Sequence, residues 1–348
     1  MLLVACAAPP PLASGPDLDE QDLFVDGADG YPLYRIPSLL ETRSGTLLAF
    51  AEGRRSLDDT GDIDLVLKRS VDDGATWSPL QVVVDRGPDV AGNPCPVVDR
   101  ATGAVLLLFN TNPASDANQR GVWLTRSDDD GATWSAPVEL TAEVKAPTWS
   151  WYAVGPGRGI QLASGRFIIP CDHRDDATRT SASHVIFSDD GVQWQLGGSI
   201  GADTDEAQVA ELSDGRVLIN ARDLSPTHRR ATARSEDQGQ TWTETTRDPA
   251  LTDPSCEGSL LATSSGLVFS NPDSVAPLDR KRLTVRVSHD DGLTWARSRV
   301  LRAGPAAYSS LAALGDGRLG CLFENGEFSF APYDRITLAR FTRGWLEP

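Results

Sequence analysis

The stretch Ser70-Val-Asp72-Asp-Gly74-Ala-Thr76-Trp77 recurs along this chain, and its repetition decides the fold. The pattern Ser-x-Asp-x-Gly-x-Thr-Trp is kept in three further copies, at residues 127–134, 235–242 and 288–295. A fifth, divergent copy is Asp189-Asp-Gly191-Val-Gln193-Trp194, with Phe187 and Gln193 at the Ser and Thr places. The tryptophans of these five copies, called repeat turns below, follow one another at intervals of 57, 60, 48 and 53 residues. A period of this length predicts a repeat architecture.

Each copy has the residues of a tight turn between two strands. The Asp side chain can accept hydrogen bonds from nearby backbone N–H groups, and the Gly tolerates a positive φ. Strand-like runs flank the first copy, at residues 65–70 and 81–84. The Trp has a large apolar surface, so it is expected to pack between neighbouring repeats. We interpret the repeat turns as structural, because an EF-hand calcium loop would need a glutamate at its twelfth position.

The spacing of the repeat turns also predicts the number of structural units. Counted from residue 21, 56 residues precede Trp77, and another 53 follow Trp295. Each flank is about as long as one interval, so four intervals and two flanks make six units. The sequence therefore predicts an all-β fold, a six-bladed β-propeller of four-stranded antiparallel blades, with residues 21–348 as one domain.

Charge and composition exclude several classes of function. The formal net charge is −17 and the pI is about 4.6, which disfavours nucleic acid as a partner. An anionic substrate would need a locally cationic pocket. The five cysteines and four histidines are scattered without a CxxC pair, so we expect no metal, no cofactor and no disulfide framework. Buried free thiols are expected for the last four cysteines: Cys95, Cys171, Cys256 and Cys321.

The N-terminus has features of an export signal. Met1-Leu-Leu-Val-Ala-Cys6 resembles the end of a bacterial lipoprotein signal, although the charged region and a full apolar region are missing. A Pro-rich tether follows, so residues 1–20 are expected to be a truncated signal-like segment and linker. The expectation is a secreted or extracytoplasmic protein without a transmembrane segment. Either the start codon has been placed too late, so that Cys6 is a lipid attachment site, or the resemblance is due to chance.

A motif outside the repeats points to a family. The segment Tyr34-Arg-Ile-Pro-Ser-Leu39, combined with the repeat turns, resembles the exo-α-sialidase (neuraminidase) family of bacteria and animals, over residues 31 to about 345. The resemblance implies three arginines from different blades that bind the carboxylate of sialic acid. It assigns Arg35, Arg222 and Arg280 to this triad, with Arg282 and Arg286 as competitors for the third place. Three such charge-assisted contacts would supply about 1.5–3 kcal/mol each and make the cleft locally cationic.

The resemblance further implies a tyrosine nucleophile. Tyr308, in Ala306-Ala-Tyr308-Ser-Ser-Leu, matches the family segment. A neutral phenol can approach an anomeric carbon that already bears a carboxylate, whereas a charged nucleophile would be repelled. Because a phenol has an ordinary pKa of about 10, a base must stand beside it. The family match for this base is Glu206; Glu211 is the alternative, but its odd offset places it on the opposite face of a strand.

The general acid is expected in the loop after residue 54. The family pattern selects Asp59, with Asp58 as its neighbouring alternative, and Asp62 is assigned to the structural stretch before the next strand. Arg54 matches a family position that lines the pocket near the acid. Glu324 matches the acidic residue that braces the first arginine.

Two tryptophans of the segment 148–160 have two open interpretations. Trp149 and Trp151 either shape the far side of the cleft or belong to ordinary blade packing.

Together these residues predict a retaining exo-α-sialidase that hydrolyses terminal α-linked sialic acids from glycoconjugates through a tyrosyl-sugar covalent intermediate. Its partners would be sialylated glycans, and the chain is expected to be a monomer that needs no cofactor. One alternative is a non-catalytic propeller that binds glycans or a protein. Another is an enzyme of the same fold that acts by transfer or on a related nonulosonic acid such as Kdn.

Overall fold

The computed structural model describes residues 15–328 and 331–347. Over these residues the chain forms strands almost throughout, with two short helices, α1 (Thr141–Val144) and α2 (Arg343–Leu346). The strands are β1 (Leu18–Val25), β2 (Leu33–Glu41), β3 (Leu47–Arg54), β4 (Ile63–Ser70), β5 (Gln81–Val84), β6 (Val90–Val98), β7 (Val105–Asn112), β8 (Gly121–Ser127), β9 (Val138–Glu139), β10 (Trp149–Val154), β11 (Ile160–Gln161), β12 (Phe167–Asp175), β13 (Thr180–Ser188), β14 (Gln195–Ala202), β15 (Thr204–Glu211), β16 (Val217–Asp223), β17 (Arg229–Ser235), β18 (Thr246–Thr252), β19 (Ser259–Thr263), β20 (Gly266–Pro272), β21 (Lys281–Ser288), β22 (Arg297–Ala313), β23 (Leu319–Asn325) and β24 (Arg335–Phe341).

The strands pair mainly with their neighbours along the chain, in antiparallel fashion. The pairing gives the sets β2–β3–β4–β5, β6–β7–β8–β9, β10–β12–β13–β14, β15–β16–β17–β18 and β19–β20–β21–β22. The long strand β22 takes part in a further set, because its second half pairs with β23. That set, β22–β23–β24–β1, joins the two ends of the chain, with Leu18 opposite Phe341. The predicted all-β fold is confirmed.

The apolar core lies between adjacent sets of strands, and the repeat tryptophans contact it there. Trp134, for example, packs on a cluster built from β2 to β4 and β6 to β7, with its ring centroid 5.9 Å from that of Phe50. The other four repeat tryptophans contact equivalent clusters. Trp345, which belongs to no repeat turn, packs between the last two sets, 4.9 Å from Phe341. The predicted packing between repeats is confirmed.

The repeat turns are closed by their own side chains. In the first copy the Ser70 hydroxyl accepts a hydrogen bond from the Gly74 N–H at 2.9 Å and donates to Asp72 at 2.7 Å. Asp72 accepts from both the N–H and the hydroxyl of Thr76, at 2.9 and 2.6 Å. These bonds from Thr76 lower the pKa of Asp72 to about 2. The carboxylate is thus satisfied within the turn, as the structural interpretation predicts.

The fifth repeat turn corrects one prediction. Phe187 does not stand at the Ser place: the Ser188 hydroxyl accepts from the Gly191 N–H at 2.9 Å and donates to Asp190 at 3.0 Å. The turn is one residue shorter between its Asp and its Gly than the other copies are. An alignment anchored on Gly191 therefore displaces the serine by one position.

The described residues also bear on the cysteines and the termini. Cys95, Cys171, Cys256 and Cys321 are free and buried, as predicted. Cys6 and the signal-like segment up to residue 14 lie outside the described residues, and β1 begins at Leu18, before residue 21. In the described part of the chain, no helix has the length and apolar character that a membrane span requires.

Candidate active site

A cleft opens where the first strands of several sets begin. It comprises two adjoining cavities of about 50 and 330 Å³. The residues that line both cavities are Asp59, Trp151, Asp172, Glu206 and Tyr308. All five come from separate stretches of the chain, so only the tertiary fold brings them together.

The strands that reach the cleft are irregular at that end. A β-bulge re-aims side chains and interrupts the ladder, and bulges are frequent beside active sites. The register shifts lie at Arg35/Ser38 in β2, Gly92/Cys95 in β6, Trp149/Tyr152 in β10, Thr204/Ala207 in β15 and Ala306/Ser309 in β22. Four of these five irregular stretches include a predicted triad arginine or a residue that lines both cavities: Arg35, Trp151, Glu206 and Tyr308.

Tyr308 and Glu206 form a direct pair at the centre of the cleft. The Tyr308 hydroxyl donates a hydrogen bond to Glu206 Oε1. Arg222, from β16, donates from Nη1 to Glu206 Oε2 at 2.8 Å and to the Tyr308 hydroxyl oxygen at 3.2 Å. Burial and the negative charge of Glu206 raise the pKa of Tyr308 well above its usual range, against the three nearby arginines. The phenol is therefore neutral, and it keeps its proton in a hydrogen bond to a carboxylate, the arrangement that a base-activated nucleophile requires.

Glu324 holds Arg35 and the backbone of Tyr308 in place. Its two oxygens accept from Arg35 Nε at 3.0 Å and Nη2 at 3.1 Å, the bidentate geometry of a strong ion pair. The same carboxylate accepts from the backbone N–H groups of Ile36 at 2.9 Å and Tyr308 at 3.2 Å. The predicted contact between Glu324 and Arg35 is thus present, and Glu324 lies buried behind the arginine.

Of the three candidates for the third arginine, Arg280 is the one that lies against Tyr308. Its guanidinium carbon lies 5.3 Å from the centre of the Tyr308 ring, and that of Arg35 lies 5.1 Å from it. Arg286 instead pairs with Asp273 at 2.9 Å, and Arg282 approaches the same carboxylate at 3.9 Å. Arg35, Arg222 and Arg280 therefore surround one tyrosine, and the two competitors point elsewhere.

Asp59 is the loop carboxylate that reaches the cleft. It pairs with Arg54 Nη1 at 3.0 Å, and 55% of its side chain is exposed. The neighbouring Asp58 offers Arg54 only its backbone carbonyl, at 3.3 Å, and Asp62 pairs with Arg55 at 3.3 Å. Partial burial would raise the pKa of Asp59, but the positive charges of nearby arginines outweigh it and lower the pKa below its usual value. These arginines are Arg54, Arg35 and Arg120.

Glu211, Trp149 and Trp151, whose roles the sequence left open, lie in different surroundings. Glu211 accepts from the Ala163 N–H at 2.9 Å and lines a different cavity, so it does not face Tyr308. Trp151 lines the cleft. Trp149 stacks on His173, with ring centroids 3.5 Å apart, and belongs to the packing.

Several cleft residues have no signal in the sequence that singles them out. Arg120 and Asp172 line the cavities, and Asp205 lies 3.7 Å from Arg222. Tyr333 accepts a hydrogen bond from Arg280 at 2.9 Å. Only Asp205, the neighbour of Glu206 in sequence, could have been suspected; Arg120 and Tyr333 reach the cleft from stretches that resemble ordinary strand ends and loops.

The chain is similar to known sialidases over most of its length. The family described as "BNR repeat-like domain" matches residues 45–321. A sialidase of Micromonospora viridifaciens is 35% identical over 97% of this chain, which spans 56% of that protein. An exo-alpha-sialidase of Aspergillus fumigatus is 33% identical over 97% of this chain and 90% of its own length. The solved structure of Hadza microbial sialidase Hz136 superposes with a TM-score of 0.86 at 30% identity, covering 94% of this chain and 69% of that one.

Proposed function

This chain belongs to the sialidase family, and on that basis we propose that it is a retaining exo-α-sialidase, which hydrolyses terminal α-linked sialic acids from glycoconjugates. The observation that carries the proposal is the Tyr308–Glu206 hydrogen bond at the centre of Arg35, Arg222 and Arg280. A glycan-binding module would have no need of a tyrosine paired with a base in this position.

The proposal includes a six-bladed propeller formed by residues 21–348. The strand pairings support it, because they sort into six sets of four when β22 is counted in two of them. Pairing of β1 with β24 would close the ring, so that each inner strand delivers its first residues to one axial cleft. Propellers use such an opening to bind ligands with residues from several blades.

Substrate binding would depend on the arginine triad. A sialic acid carries a carboxylate on its anomeric carbon, so a carboxylate held by Arg35, Arg222 and Arg280 places that carbon beside Tyr308. The positive charge is local, since the whole protein is strongly acidic. Glu324 and the other buried partners hold the guanidinium groups before the substrate arrives, which lowers the entropic cost of binding.

The first chemical step forms the covalent intermediate. The Tyr308 oxygen attacks the anomeric carbon while its proton passes to Glu206. The bond from that carbon to the glycosidic oxygen breaks, and Asp59 delivers a proton to the departing oxygen. In this step Asp59 acts as the general acid and Glu206 as the general base.

The second step releases the sugar. Asp59, now ionised, takes a proton from a water molecule, whose oxygen attacks the anomeric carbon. The bond to Tyr308 breaks, and Glu206 returns the proton to the phenol oxygen. Two displacements at one carbon retain the α configuration, which fits the retaining reaction of the proposal.

Release of 4-methylumbelliferone from its α-sialoside tests the proposal, with the anomer of the first sugar product followed by ¹H NMR. The α-anomer is expected; the β-anomer, a transfer product or a 2,7-anhydro sugar would contradict retaining hydrolysis. Tight sialoside binding without turnover would favour the non-catalytic alternative. The monomeric and extracytoplasmic states remain predictions, which light scattering and mass spectrometry of the N-terminal peptide would test.

A further inference from the structure

A second cavity lies at the opposite ends of the strands that form the cleft. The start of β15 brings Glu206 into the cleft, whereas Ala210 and Glu211, at its end, line a separate cavity of about 590 Å³. Strand β2 does the same with Arg35 and Leu40. Because a strand rises about 3.3 Å per residue, the four steps from Glu206 to Ala210 separate the two sites by roughly 13 Å. This strand-end cavity is therefore distinct from the cleft, and it has the size of a small-molecule site.

Arg158 is a buried cation of the strand-end cavity. Its side chain lines the cavity, and its Nε is inaccessible to water and has no hydrogen-bond partner. Burial lowers the pKa of Arg158 to about 10, and among the described residues the Cys95 thiol is the ionisable group that opposes this shift. That thiol is neutral, because burial raises its own pKa. Arg158 is therefore positive at neutral pH with no described carboxylate to balance it, a cost in free energy that a bound anion would recover.

Two further arginines, Arg43 and Arg100, line the same cavity. Arg43 donates from Nη1 to the backbone carbonyl of Ala101 at 2.8 Å, and Arg100 donates from Nη2 to the carbonyl of Leu162. These bonds hold the side chains in place but leave their positive charges in full. The electrostatic field of the cavity is therefore locally cationic, although the whole chain is acidic.

The two carboxylates of the lining are engaged elsewhere. Glu211 accepts from the Ala163 N–H at 2.9 Å. Glu41 interacts with the Gly315 N–H, and burial raises its pKa, which weakens its tendency to ionise. Neither of them acts on the pKa of Arg158. The charge of Arg158 is thus available to a ligand.

The rest of the wall is mainly aliphatic. Its side chains come from five strands, β2, β6, β11, β15 and β19, and are Leu40, Val97, Val98, Ile160, Ala210 and Ala262. An inorganic anion would leave these side chains against water. A ligand with an apolar body would cover them and gain the free energy of their burial.

We propose that the strand-end cavity binds a small organic carboxylate, whose charged group accepts hydrogen bonds from Arg158 and whose apolar body packs on the aliphatic wall. The planar guanidinium of an arginine matches a carboxylate in geometry as well as in charge. Since the wall is built from five strands, such a ligand would contact several strand sets at once. The inference does not depend on the proposed function, because the site shares no side chain with the cleft.

Titration calorimetry with 4-bromobenzoate tests the proposal. A Kd of about 1 mM or lower is expected for the wild-type protein, the order for a ligand of this size. The neutral isostere 4-bromobenzamide and the small anion acetate should each bind at least tenfold more weakly. Equal binding of the amide would overturn the role of the charge, and equal binding of acetate would overturn that of the wall. An absence of saturable 4-bromobenzoate binding would overturn the whole proposal.

Variants separate this site from the arginine triad, which could also take a carboxylate. Arg158→Met removes the donors and should weaken binding at the strand-end cavity at least tenfold, and Arg158→Lys should restore part of it. Arg280→Met, in the cleft, should retain this binding. Arg126→Met is the control, because Arg126 is exposed and paired with Asp128. Binding that is lost in Arg280→Met but kept in Arg158→Met would place the ligand in the cleft and contradict the proposal.

A crystal grown with 4-bromobenzoate gives a readout that needs no variant. The anomalous signal of bromine is expected beside Leu40 and Val97, with the carboxylate at Arg158. A bromine signal confined to the cleft, or none at all, would overturn the assignment. This position decides the question alone if Arg158→Met does not fold.

Discussion

The hydroxyl of Tyr308 donates a hydrogen bond to the carboxylate of Glu206 across 102 positions of the chain. Arg222 donates a hydrogen bond to each partner, so its positive charge lies beside the pair. A phenol alone is a poor nucleophile at neutral pH, because its ordinary pKa is about 10. In the proposed mechanism Glu206 is the missing base, and the contact between the two side chains is the geometry that this role requires.

Removal of the phenol oxygen should abolish turnover. In Tyr308→Phe the ring and its packing remain, but no covalent intermediate can form, so kcat for a fluorogenic α-sialoside should fall by about 1,000-fold or more. Tyr31→Phe is the matched control, because the Tyr31 hydroxyl bonds Asp64 at 2.6 Å, outside the cleft. Wild-type kcat in Tyr308→Phe would rule out the tyrosyl mechanism.

Loss of the base should be nearly as damaging. Glu206→Gln keeps the shape of the side chain but cannot take the Tyr308 proton, and kcat is expected to fall by about 10²–10⁴-fold. Glu211→Gln, on the same strand but facing another cavity, should leave kcat within twofold of wild type, about the scatter of such assays. Comparable losses in both variants would show that the change acts through the strand and not through proton transfer.

The triad arginine Arg280 should be sensitive to its own geometry as well as its charge. Arg280→Lys keeps the charge but loses the planar fork, so kcat/KM should fall by about tenfold to 100-fold, from the loss of about 1.5–3 kcal/mol of charge-assisted bonding. Arg282→Lys serves as the control, since its side chain is 52% exposed. If the two substitutions lower kcat/KM equally, Arg280 has been assigned to the wrong role.

Asp59 should make hydrolysis favour acidic pH. Arginines hold its pKa below the usual 3.8 in the free protein, so the protonated form needed for catalysis declines by about tenfold per pH unit above that value. We expect kcat/KM for sialyllactose to fall as the pH rises from acidic to neutral, since this parameter reports the free protein.

The leaving group provides the check on Asp59. Nitrophenol departs without protonation, whereas lactose requires it, so Asp59→Asn should impair hydrolysis of sialyllactose far more than that of the nitrophenyl sialoside. Asp58→Asn should affect neither, because only the Asp58 backbone contacts Arg54. An equal loss on both substrates would contradict a general-acid role.

The repeat turns should make the fold sensitive to acid. The carboxylates of Asp72, Asp129 and Asp290 have pKa values of about 2, below the usual 3.8, because of hydrogen bonds from the threonine four residues later. Their stabilising effect is therefore complete above about pH 4 and is lost as the pH falls towards 2.

This acid sensitivity can be measured from the melting temperature as a function of pH. Asp129→Asn should lower Tm at neutral pH, and its difference from wild type should shrink between pH 4 and 2. Asp128→Asn, at an exposed neighbouring position, is the control. A difference that stays constant over this range would show that the turn does not depend on the charge of Asp129.

Much of the fold follows from local chemistry. The pattern of Ser, Asp, Gly, Thr and Trp closes each turn by itself, so its recurrence could be read directly from the sequence. The divergent copy shows the limit of that reading: Ser188 replaces Phe187 in the turn because one residue is missing before Gly191. A fixed spacing pattern misses a one-residue deletion when the turn keeps its hydrogen bonds, as it does at Ser188.

Residues of the candidate site could be predicted from the sequence only where they belong to a recognisable motif. Arg35 and Tyr308 stand in distinctive segments, but the choice of Arg280 over its neighbours depends on which guanidinium turns inward at a strand end. No motif marks Arg120 or Asp172 in the sequence, and their position in the cleft appears only when the surrounding side chains are placed.

The sequence by itself determined the all-β repeat, the structural role of its turns and the residue types of the chemistry, because each depends on neighbours within a few positions. The tertiary structure decided which carboxylate faces Tyr308, which arginines converge on it and which polar groups are left unpaired. Those properties arise from contacts between residues as far apart as Arg35 and Glu324. Local patterns contain no information about the direction of such side chains, because the directions are set by bulges and by packing between sets of strands.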